Sequence, residues 1–206
     1  MNSPPHTIIE DNMMYKLSMR TIELLKKDLF YGSLPDWQKA PIETLINICL
    51  EQGMGGKHIA YVLATAYHES DRFKTKEEYR KGHGRKYGTR LPVWNHVSTS
   101  YHGRGWVQLT WLGNYAQFSA RLSALSGEEV DLVNNPDLII NNDKINAYIT
   151  VVGMKEGLFT GKKLSDYADY VGMRRVVNGT DKAGQIAGYA EKFEEALKYG
   201  QEEGSA

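Results

Sequence analysis

The sequence contains little that would cross-link the chain or anchor it in a membrane. Its only cysteine is Cys49, which excludes an intramolecular disulfide and a cysteine-based metal cluster. Cys49 follows Ile42, Leu45 and Ile46 in an apolar run, so we expect a buried, inert thiol. No apolar run reaches the ~18 residues of a membrane span, and the first residues lack the basic start and apolar core of a secretory signal. We therefore expect synthesis in a reducing cytoplasm and no stable membrane insertion.

The chain has no net charge, but its charged residues are unevenly distributed. The 25 basic and 25 acidic residues cancel, so nucleic-acid binding is not predicted. Between Arg72 and Arg104, however, nine basic residues accompany two acidic ones, which makes this segment +7 and the rest of the chain −7. Such a segment is either a solvated loop or a positive rim around a site for an anionic substrate.

Helical periodicity dominates the hydrophobic pattern, and alternating strand patterns are scarce. The sequence predicts a mainly α fold with a single catalytic domain over residues 13–200, between a flexible arm (1–12) and a flexible tail (201–206). Residues 71–104 lose the helical period, which predicts a long irregular segment with a short hairpin, of the kind that usually carries function. The predicted helices begin near Leu17 and end before Gly32, then cover Ile42–Leu50, His58–His68, 112–124, 141–156, 164–176 and 183–199.

Glu69 is the first candidate for acid–base chemistry. At about 100° per residue, it lies near the azimuth of Val62 and Ala66 on the apolar stripe of its helix. A carboxyl group there is partly shielded from water, which favours the protonated form that a general acid needs. A helix-terminal glutamate paired with a nearby arginine would fit the same position.

A two-carboxylate mechanism needs a second acid, and Glu77 and Glu78 follow within nine residues. On one continuous helix, nine residues rise about 13.5 Å, so the helix must end near Ser70 and the chain must fold back. Inverting glycosidases hold their carboxyl groups roughly 6.5–9.5 Å apart, with a water molecule between them. A helix end that faces a separate loop suits this gap.

Three strings together resemble glycoside hydrolase family 19. They are Glu69 with an acid nine residues later, YHGRGWVQLTWLGNY (101–115) and RRVVNGTDKAG (174–184). The resemblance covers residues 17–198 and looks most like the single-domain chitinases and endolysins that bacteriophages encode. It implies a lysozyme-like, bilobed α-helical fold and an inverting mechanism.

Carried onto this chain, the resemblance implies that Glu69 is the general acid and Glu78 the general base. Thr110 would help to hold the attacking water. Three amide side chains would hydrogen-bond the sugar and its acetamido group: Gln108, Asn114 and Asn178. The further substrate-binding candidates are His68, Tyr101, Arg104, Trp111 and Arg175.

The chain departs from the family pattern directly after Glu69. Many members have Ser/Thr-Gly-Gly where this sequence has Ser70-Asp71-Arg72. The local loop geometry decides where the base lies, so Glu77 remains an alternative to Glu78.

Aromatic residues are concentrated beside the amides of the second string. Flat rings next to amide groups suit sugar faces and acetamido groups, although we expect some of these rings to belong to the core. The rings are those of Trp94, Tyr101, Trp106, Trp111 and Tyr115.

Other functions fit the sequence less well. His68-Glu69 begins like a zinc-binding HExxH motif, but Arg72 occupies the place of the second histidine, so we expect no metal and no cofactor. A lytic transglycosylase also uses a glutamate followed by serine, but it needs no second acid. A non-catalytic sugar-binding module would explain the aromatics but not Glu69.

The motifs leave two substrates open, because chitin and peptidoglycan share the same linkage chemistry. The +7 segment favours peptidoglycan, since that polymer carries carboxylates and chitin is neutral. We expect a monomeric, phage-type lysin whose partner is the polysaccharide alone. It would act from the host bacterial cytoplasm and reach the wall after membrane permeabilisation.

Overall fold

The central helix of the fold, α3 (Gly56–Glu69), is buried along most of its length. The computed structural model describes residues 14–82, 87 and 100–200. Every residue of α3 from Ile59 to Tyr67 is buried. Helix α8 (Ala183–Leu197) packs along α3 and also contacts α1 (Met19–Asp28). A helix that is apolar on all sides belongs in the core, and α3 therefore gives Glu69 a rigid support.

Two N-terminal helices complete the packing around α3. Helix α1 begins after Ser18, whose hydroxyl oxygen accepts a hydrogen bond from the backbone N–H of Thr21. Helix α2 (Asp36–Glu51) begins six residues before the predicted start at Ile42, and Pro41 lies inside it. A proline this close to the helix start removes one backbone hydrogen bond and leaves the rest of the helix intact.

The second half of the chain supplies α4 (Leu112–Ser126), α5 (Leu138–Asn141) and α6 (Asp143–Glu156). One continuous helix was predicted over 141–156, but Asn142 separates α5 from α6. The Asn142 side chain accepts hydrogen bonds from two backbone N–H groups of the first turn of α6, which is a stable helix start.

The predicted helix over 164–176 is wrong. The structure has a 3₁₀ turn (Leu164–Asp166), a one-turn helix α7 (Tyr170–Met173) and a second 3₁₀ turn (Arg174–Val176). The Asp169 carboxylate accepts a hydrogen bond from the backbone N–H of Gly172 and starts a new turn there. Local side-chain-to-backbone bonds of this kind compete with a continuous helix.

Two hydrophobic cores give the molecule two lobes. The larger core joins side chains of α1, α2, α3 and α8 with Trp106. The smaller core joins α4 and α5 with Val107 and Leu109. Helix α6 lies between them, with Val151 in the larger core and Ile149 in the smaller one. The predicted mainly α-helical, lysozyme-like, bilobed fold is confirmed.

The irregular segment between the lobes contains backbone pairing but, within the described residues, no strand. Isolated β-bridges join Glu77 to Arg104 and Arg104 to Leu109. The predicted arm (1–12), tail (201–206) and Trp94 lie outside the described residues. None of the helices in the described ranges is long and apolar enough to cross a membrane.

Candidate active site

The chain turns back immediately after Glu69, as the two-carboxylate hypothesis requires. The hydroxyl of Ser70 donates to the carbonyl of Ala66 and accepts from the backbone N–H of Phe73. Asp71, Arg72 and Phe73 all have left-handed backbone conformations, with φ of 45°, 63° and 64°. Three such residues in succession end α3 abruptly and send the chain toward Glu77 and Glu78.

Glu69 is held by a buried arginine. Arg174 Nη1 donates to Glu69 Oε1 at 2.7 Å, and Arg174 Nε donates to the carbonyl of Asp181 at 2.9 Å. The Arg174 side chain is 3% exposed, while that of Glu69 is 21% exposed. Among the described residues, no donor reaches Glu69 Oε2. The ion pair therefore orients the carboxyl group through one of its two oxygens.

Glu78 is held by backbone contacts instead. Its N–H donates to the carbonyl of Gly103 at 2.8 Å. Its carboxylate accepts from the N–H of Gly103 at Oε2 (3.3 Å) and from the Tyr87 hydroxyl at Oε1 (3.2 Å). Glu78 thus lies directly beside the Gly-Arg-Gly string, and two donors face its carboxylate.

Steric crowding explains why both outer positions of the Gly-Arg-Gly string are glycines. A Cβ on Gly103 would lie 2.6 Å from Gln108 Oε1 and 3.4 Å from Glu78 Cβ. Gly105 has a left-handed backbone (φ 81°), and a Cβ there would lie 2.7 Å from Asn146 Oδ1. Glycine at these two positions therefore lets the backbone of the string lie close to the side chains of Gln108, Glu78 and Asn146.

Glu77 has two side-chain partners of its own. His102 Nε2 lies 2.8 Å from Glu77 Oε1, and Lys81 Nζ lies 3.2 Å from Glu77 Oε2. Burial raises the pKa of Glu77, but the hydrogen bonds from His102 and Lys81 outweigh it and lower that pKa below its ordinary value. A carboxylate with both oxygens paired in this way has an anchoring role.

Two predicted substrate-binding residues lie in the core. Tyr101 is 2% exposed, and its hydroxyl donates to the carbonyl of Val133. Arg104 is 5% exposed, and it donates to the Asp137 carboxylate (2.9 Å), the Ser100 carbonyl (2.7 Å) and the Tyr115 hydroxyl (3.1 Å). Their donors are used inside the protein, so both residues support the site rather than line it. The expectation that some of the clustered rings are core is met, because Trp106 and Tyr115 are also buried.

The remaining candidates of the second string surround Trp111. The Trp111 ring is half exposed and meets Tyr87 edge-on, with 5.7 Å between ring centroids. Thr110 and Asn114 are half-buried, and Asn114 Nδ2 donates to the Thr110 carbonyl. Gln108 Nε2 donates to the Gly105 carbonyl. Tyr87 contacts both Trp111 and Glu78, so Trp111 belongs to the surroundings of Glu78.

The candidates from the other two strings are next to Glu69 or to its partner Arg174 in sequence. His68 is half-buried beside the Tyr189 ring, and burial lowers the pKa of its imidazole. Arg175 and Asn178 are exposed next to Arg174. The side-chain oxygen of Asn178 accepts from the N–H of Gly179.

The two carboxylate segments are joined by one side-chain contact. The hydroxyl of Tyr79, the residue after Glu78, donates to Asp71 Oδ2 at 3.4 Å. Asp71 lies two residues after Glu69. All three strings of the resemblance therefore meet around the segment 69–79.

The basic segment is partly neutralised by acids from outside it. Lys76 pairs with Asp143, Arg104 with Asp137, and Arg72 with Asp71. Counting these three acids lowers the net charge of the segment from +7 to +4. Within the described residues, no cluster of three or more His, Cys, Asp or Glu side chains could hold a metal ion.

Sequence reasoning missed Arg174, Tyr87 and His102. Arg174 lies four residues after the buried Tyr170, a spacing that places both on one helical face, and this spacing was the available signal. Tyr87 and His102 lie in irregular backbone, where no periodicity indicates which way a side chain points.

Comparisons with known proteins identify the fold. No protein-family model and no curated protein matches the chain. Among solved structures, chitinase C from Streptomyces griseus and a mutant of chitinase C each match with a TM-score of 0.58 and 15% identity, over 92% of this chain and 94% of theirs. A bacterial family 19 chitinase matches with a TM-score of 0.39 and 19% identity, over 88% of this chain and 86% of its own; that score supports no conclusion. The chain therefore has the mainly α-helical fold of chitinase C.

Proposed function

We propose that the chain is a glycoside hydrolase that cuts β-1,4 linkages in a polymer of N-acetylated amino sugars by an inverting mechanism. One observation carries this proposal. The two carboxylates are each held by one of the other two strings, Glu69 by Arg174 and Glu78 by Gly103, while Tyr79 and Asp71 join their segments.

Each carboxylate has a distinct role in the proposed reaction. Glu69 donates a proton to the glycosidic oxygen of the leaving sugar, while Arg174 holds the carboxyl group in place through Oε1. Glu78 removes a proton from a water molecule that attacks the anomeric carbon from the opposite face. The Thr110 hydroxyl helps to hold this water. The C–O bond to the leaving sugar breaks as the bond to the water oxygen forms. Glu69 has then lost a proton to the leaving sugar, and Glu78 has gained one from the water.

Four further candidates are close in sequence to the residues that hold the two carboxylates. Trp111 offers a half-exposed ring for a sugar face, and the amide of Asn114 donates to the Thr110 carbonyl. Arg175 and Asn178 are exposed and follow Arg174 by one and four residues. We propose these four as substrate contacts, together with His68 and Gln108.

We propose peptidoglycan as the substrate. The basic segment still carries +4 after pairing, and peptidoglycan offers carboxylates that chitin lacks. In this role the protein is a monomeric lysin that acts from the host bacterial cytoplasm and reaches the wall after membrane permeabilisation.

Chitin is the second candidate, and one observation favours it. Two solved structures that share this fold are named as chitinase C. A lytic transglycosylase would require only one acid and would leave Glu78 without a role.

Mass spectrometry of the products from purified peptidoglycan and from chitin oligomers tests the proposal. Hydrolysis adds one water to each cleaved bond, and the mass of the new reducing end identifies the sugar on that side of the cut. Products lighter by one water would indicate a transglycosylase, and released peptides would indicate an amidase. Cleavage of chitin alone would support the second candidate.

A further inference from the structure

Two exposed tyrosines flank the turn that follows Glu69, and two half-buried charged side chains of the turn lie between them. This row is here called the tyrosine ridge: Tyr31, Arg72, Asp71 and Tyr79. Tyr31 is 83% exposed and Tyr79 is 78% exposed. Between them, the Arg72 guanidinium lies 5.2 Å from the centroid of the Tyr31 ring and 3.1 Å from Asp71 Oδ1. The Tyr79 hydroxyl completes the row at Asp71 Oδ2. The ridge is thus a continuous surface with an aromatic ring at each end.

The backbone under the ridge is strained and firmly held. Asp71 and Arg72 have left-handed conformations, which are strained for residues with a side chain and which glycine adopts freely. The strain is sustained because Arg72 N–H donates to the Tyr67 carbonyl and Gln38 Nε2 donates to the Arg72 carbonyl, both at 2.7 Å. A turn that would be less strained with glycine carries charged side chains instead, and strain of this kind is concentrated at ligand-binding sites.

The ridge is continuous with the proposed active site along the chain. Asp71 and Arg72 come two and three residues after Glu69, and Tyr79 directly follows Glu78. The ridge therefore begins within three residues of both proposed catalytic carboxylates, which is where a polymer longer than the cleaved unit would find further contacts.

The chemistry of the ridge suits an anionic glycan. Exposed tyrosine rings present flat apolar faces that can stack on sugar rings. Arg72 and Lys74 provide two positive charges against the single negative charge of Asp71, whose Oδ2 lies 3.8 Å from Lys74 Nζ. We propose that the tyrosine ridge is a subsite for the glycan strand beyond the cleaved bond, where Tyr31 and Tyr79 stack on sugars and Arg72 and Lys74 bind a carboxylate substituent. This inference rests on the proposed function.

The chain offers a matched control for the ridge. Arg20 lies over the ring of Tyr199, 5.5 Å from its centroid, and Tyr199 is 48% exposed. This pair has the same chemistry as Arg72 and Tyr31, but it lies on α1 and after the end of α8. An ordinary surface cation–π pair in either place contributes only modestly to stability.

Binding is measured by co-sedimentation with purified peptidoglycan and with colloidal chitin, using Glu69→Gln as the parent so that the polymer stays intact. Tyr31→Ser and Tyr79→Ser are each expected to raise Kd for peptidoglycan by ~5-fold or more, about the worth of one stacking contact. Tyr79→Phe keeps the ring and loses only the hydrogen bond to Asp71, so it should weaken binding less than Tyr79→Ser does. Arg72→Gln and Lys74→Gln should weaken binding to peptidoglycan and leave binding to chitin unchanged. Tyr199→Ser and Arg20→Gln should stay within about twofold of the parent.

The outcomes separate this inference from the proposed function. If the parent binds but the Tyr31 and Tyr79 variants match the Tyr199 control, the ridge proposal is overturned and the proposed function stands. Equal losses for Arg72→Gln on both polymers would overturn the carboxylate contact. Binding of the parent to neither polymer would overturn the glycan substrate and the ridge together. Thermal unfolding of each variant checks that the turn still folds.

Discussion

Glu69 and Glu78 are held by two different kinds of structure. Glu69 ends a helix that is buried along most of its length, and its partner Arg174 is an almost fully buried side chain from 105 residues further along the chain. Glu78 lies in irregular backbone, where its partners are the backbone of Gly103 and the hydroxyl of Tyr87. The first carboxylate is thus oriented by packing and a charge, and the second by backbone pairing and neutral donors.

This difference suits the two tasks in the proposed reaction. A general acid acts on one oxygen atom of the substrate, so a fixed position on a rigid helix favours the proton transfer. A general base must share its carboxylate with a water molecule, and donors at both oxygens keep it oriented without neutralising it. The following predictions test whether the two segments are as different as their contacts indicate.

The largest effect on activity is expected for Glu69, at the end of the buried helix α3. Glu69→Gln should keep the fold, because the amide oxygen can still accept from Arg174. It should lower kcat by ~10²–10⁴-fold, since an amide cannot protonate the leaving oxygen. Release of reducing ends from peptidoglycan measures the rate, and circular dichroism checks the fold. Retention of more than about a tenth of wild-type turnover would show that Glu69 is not the acid.

The second effect distinguishes the two adjacent glutamates of the irregular segment. Glu78→Gln should abolish hydrolysis, because nothing remains to deprotonate the attacking water. Glu77→Gln should cost less than about tenfold, because Glu77 anchors the segment through His102 and Lys81. Added azide can replace the activated water, so it should partly restore turnover of Glu78→Gln and yield the inverted glycosyl azide. Rescue of the Glu77 variant instead would move the base by one residue, and a retained anomeric configuration in the wild-type product would exclude inversion.

A third measurement compares how firmly each carboxylate is held. Arg174→Gln removes the charge from a buried pair and should cost about 2–4 kcal/mol of unfolding free energy. Tyr87→Phe removes one neutral donor to Glu78 and should cost about 1 kcal/mol or less. Urea denaturation measures both values. Equal costs would contradict the view that packing and charge hold one carboxylate while neutral donors hold the other.

The helical elements show what the sequence could predict. Periodicity located α3, α4 and α8, because burial of an apolar face dictates these positions, and the nine-residue spacing of the two acids placed the end of α3 near Ser70. Periodicity also predicted one helix over 164–176, and that prediction was wrong. The hydrophobic pattern does not show that the Asp169 carboxylate accepts a hydrogen bond from the Gly172 N–H and begins a new turn.

The site was harder to predict, because its partners are distant in sequence. The apolar stripe indicated that Glu69 is shielded, but it could not show that Arg174 reaches it across 105 residues. Tyr101 and Arg104 belong to a motif that points to substrate, yet both are buried through Val133 and Asp137. Contacts with residues distant in sequence decide their roles, and the local sequence does not indicate those contacts.

The smallest effect concerns how pH acts on the irregular segment. The pKa of Glu77 is lowered below its ordinary value of 4.5 in the folded protein, because hydrogen bonds from His102 and Lys81 outweigh the effect of burial. A depressed carboxylate pKa stabilises the folded state above about pH 4.5, and this contribution is lost as pH falls through the lowered folded-state pKa. Glu77→Gln should therefore be less stable than wild type by about 1 kcal/mol at pH 6, and the two should converge near pH 3.

Urea denaturation of both proteins across pH 3–7 measures this convergence. Glu23→Gln provides the control, because Glu23 pairs with Arg20 on the exposed surface of α1, where ion pairs contribute little. Its difference from wild type should stay small at every pH. A Glu77 difference that persisted unchanged to pH 3 would mean that shape alone anchors this segment. In that case the charge of Glu77 would play no part in holding its segment, and the contrast between the two ends of the site would be weaker than their contacts indicate.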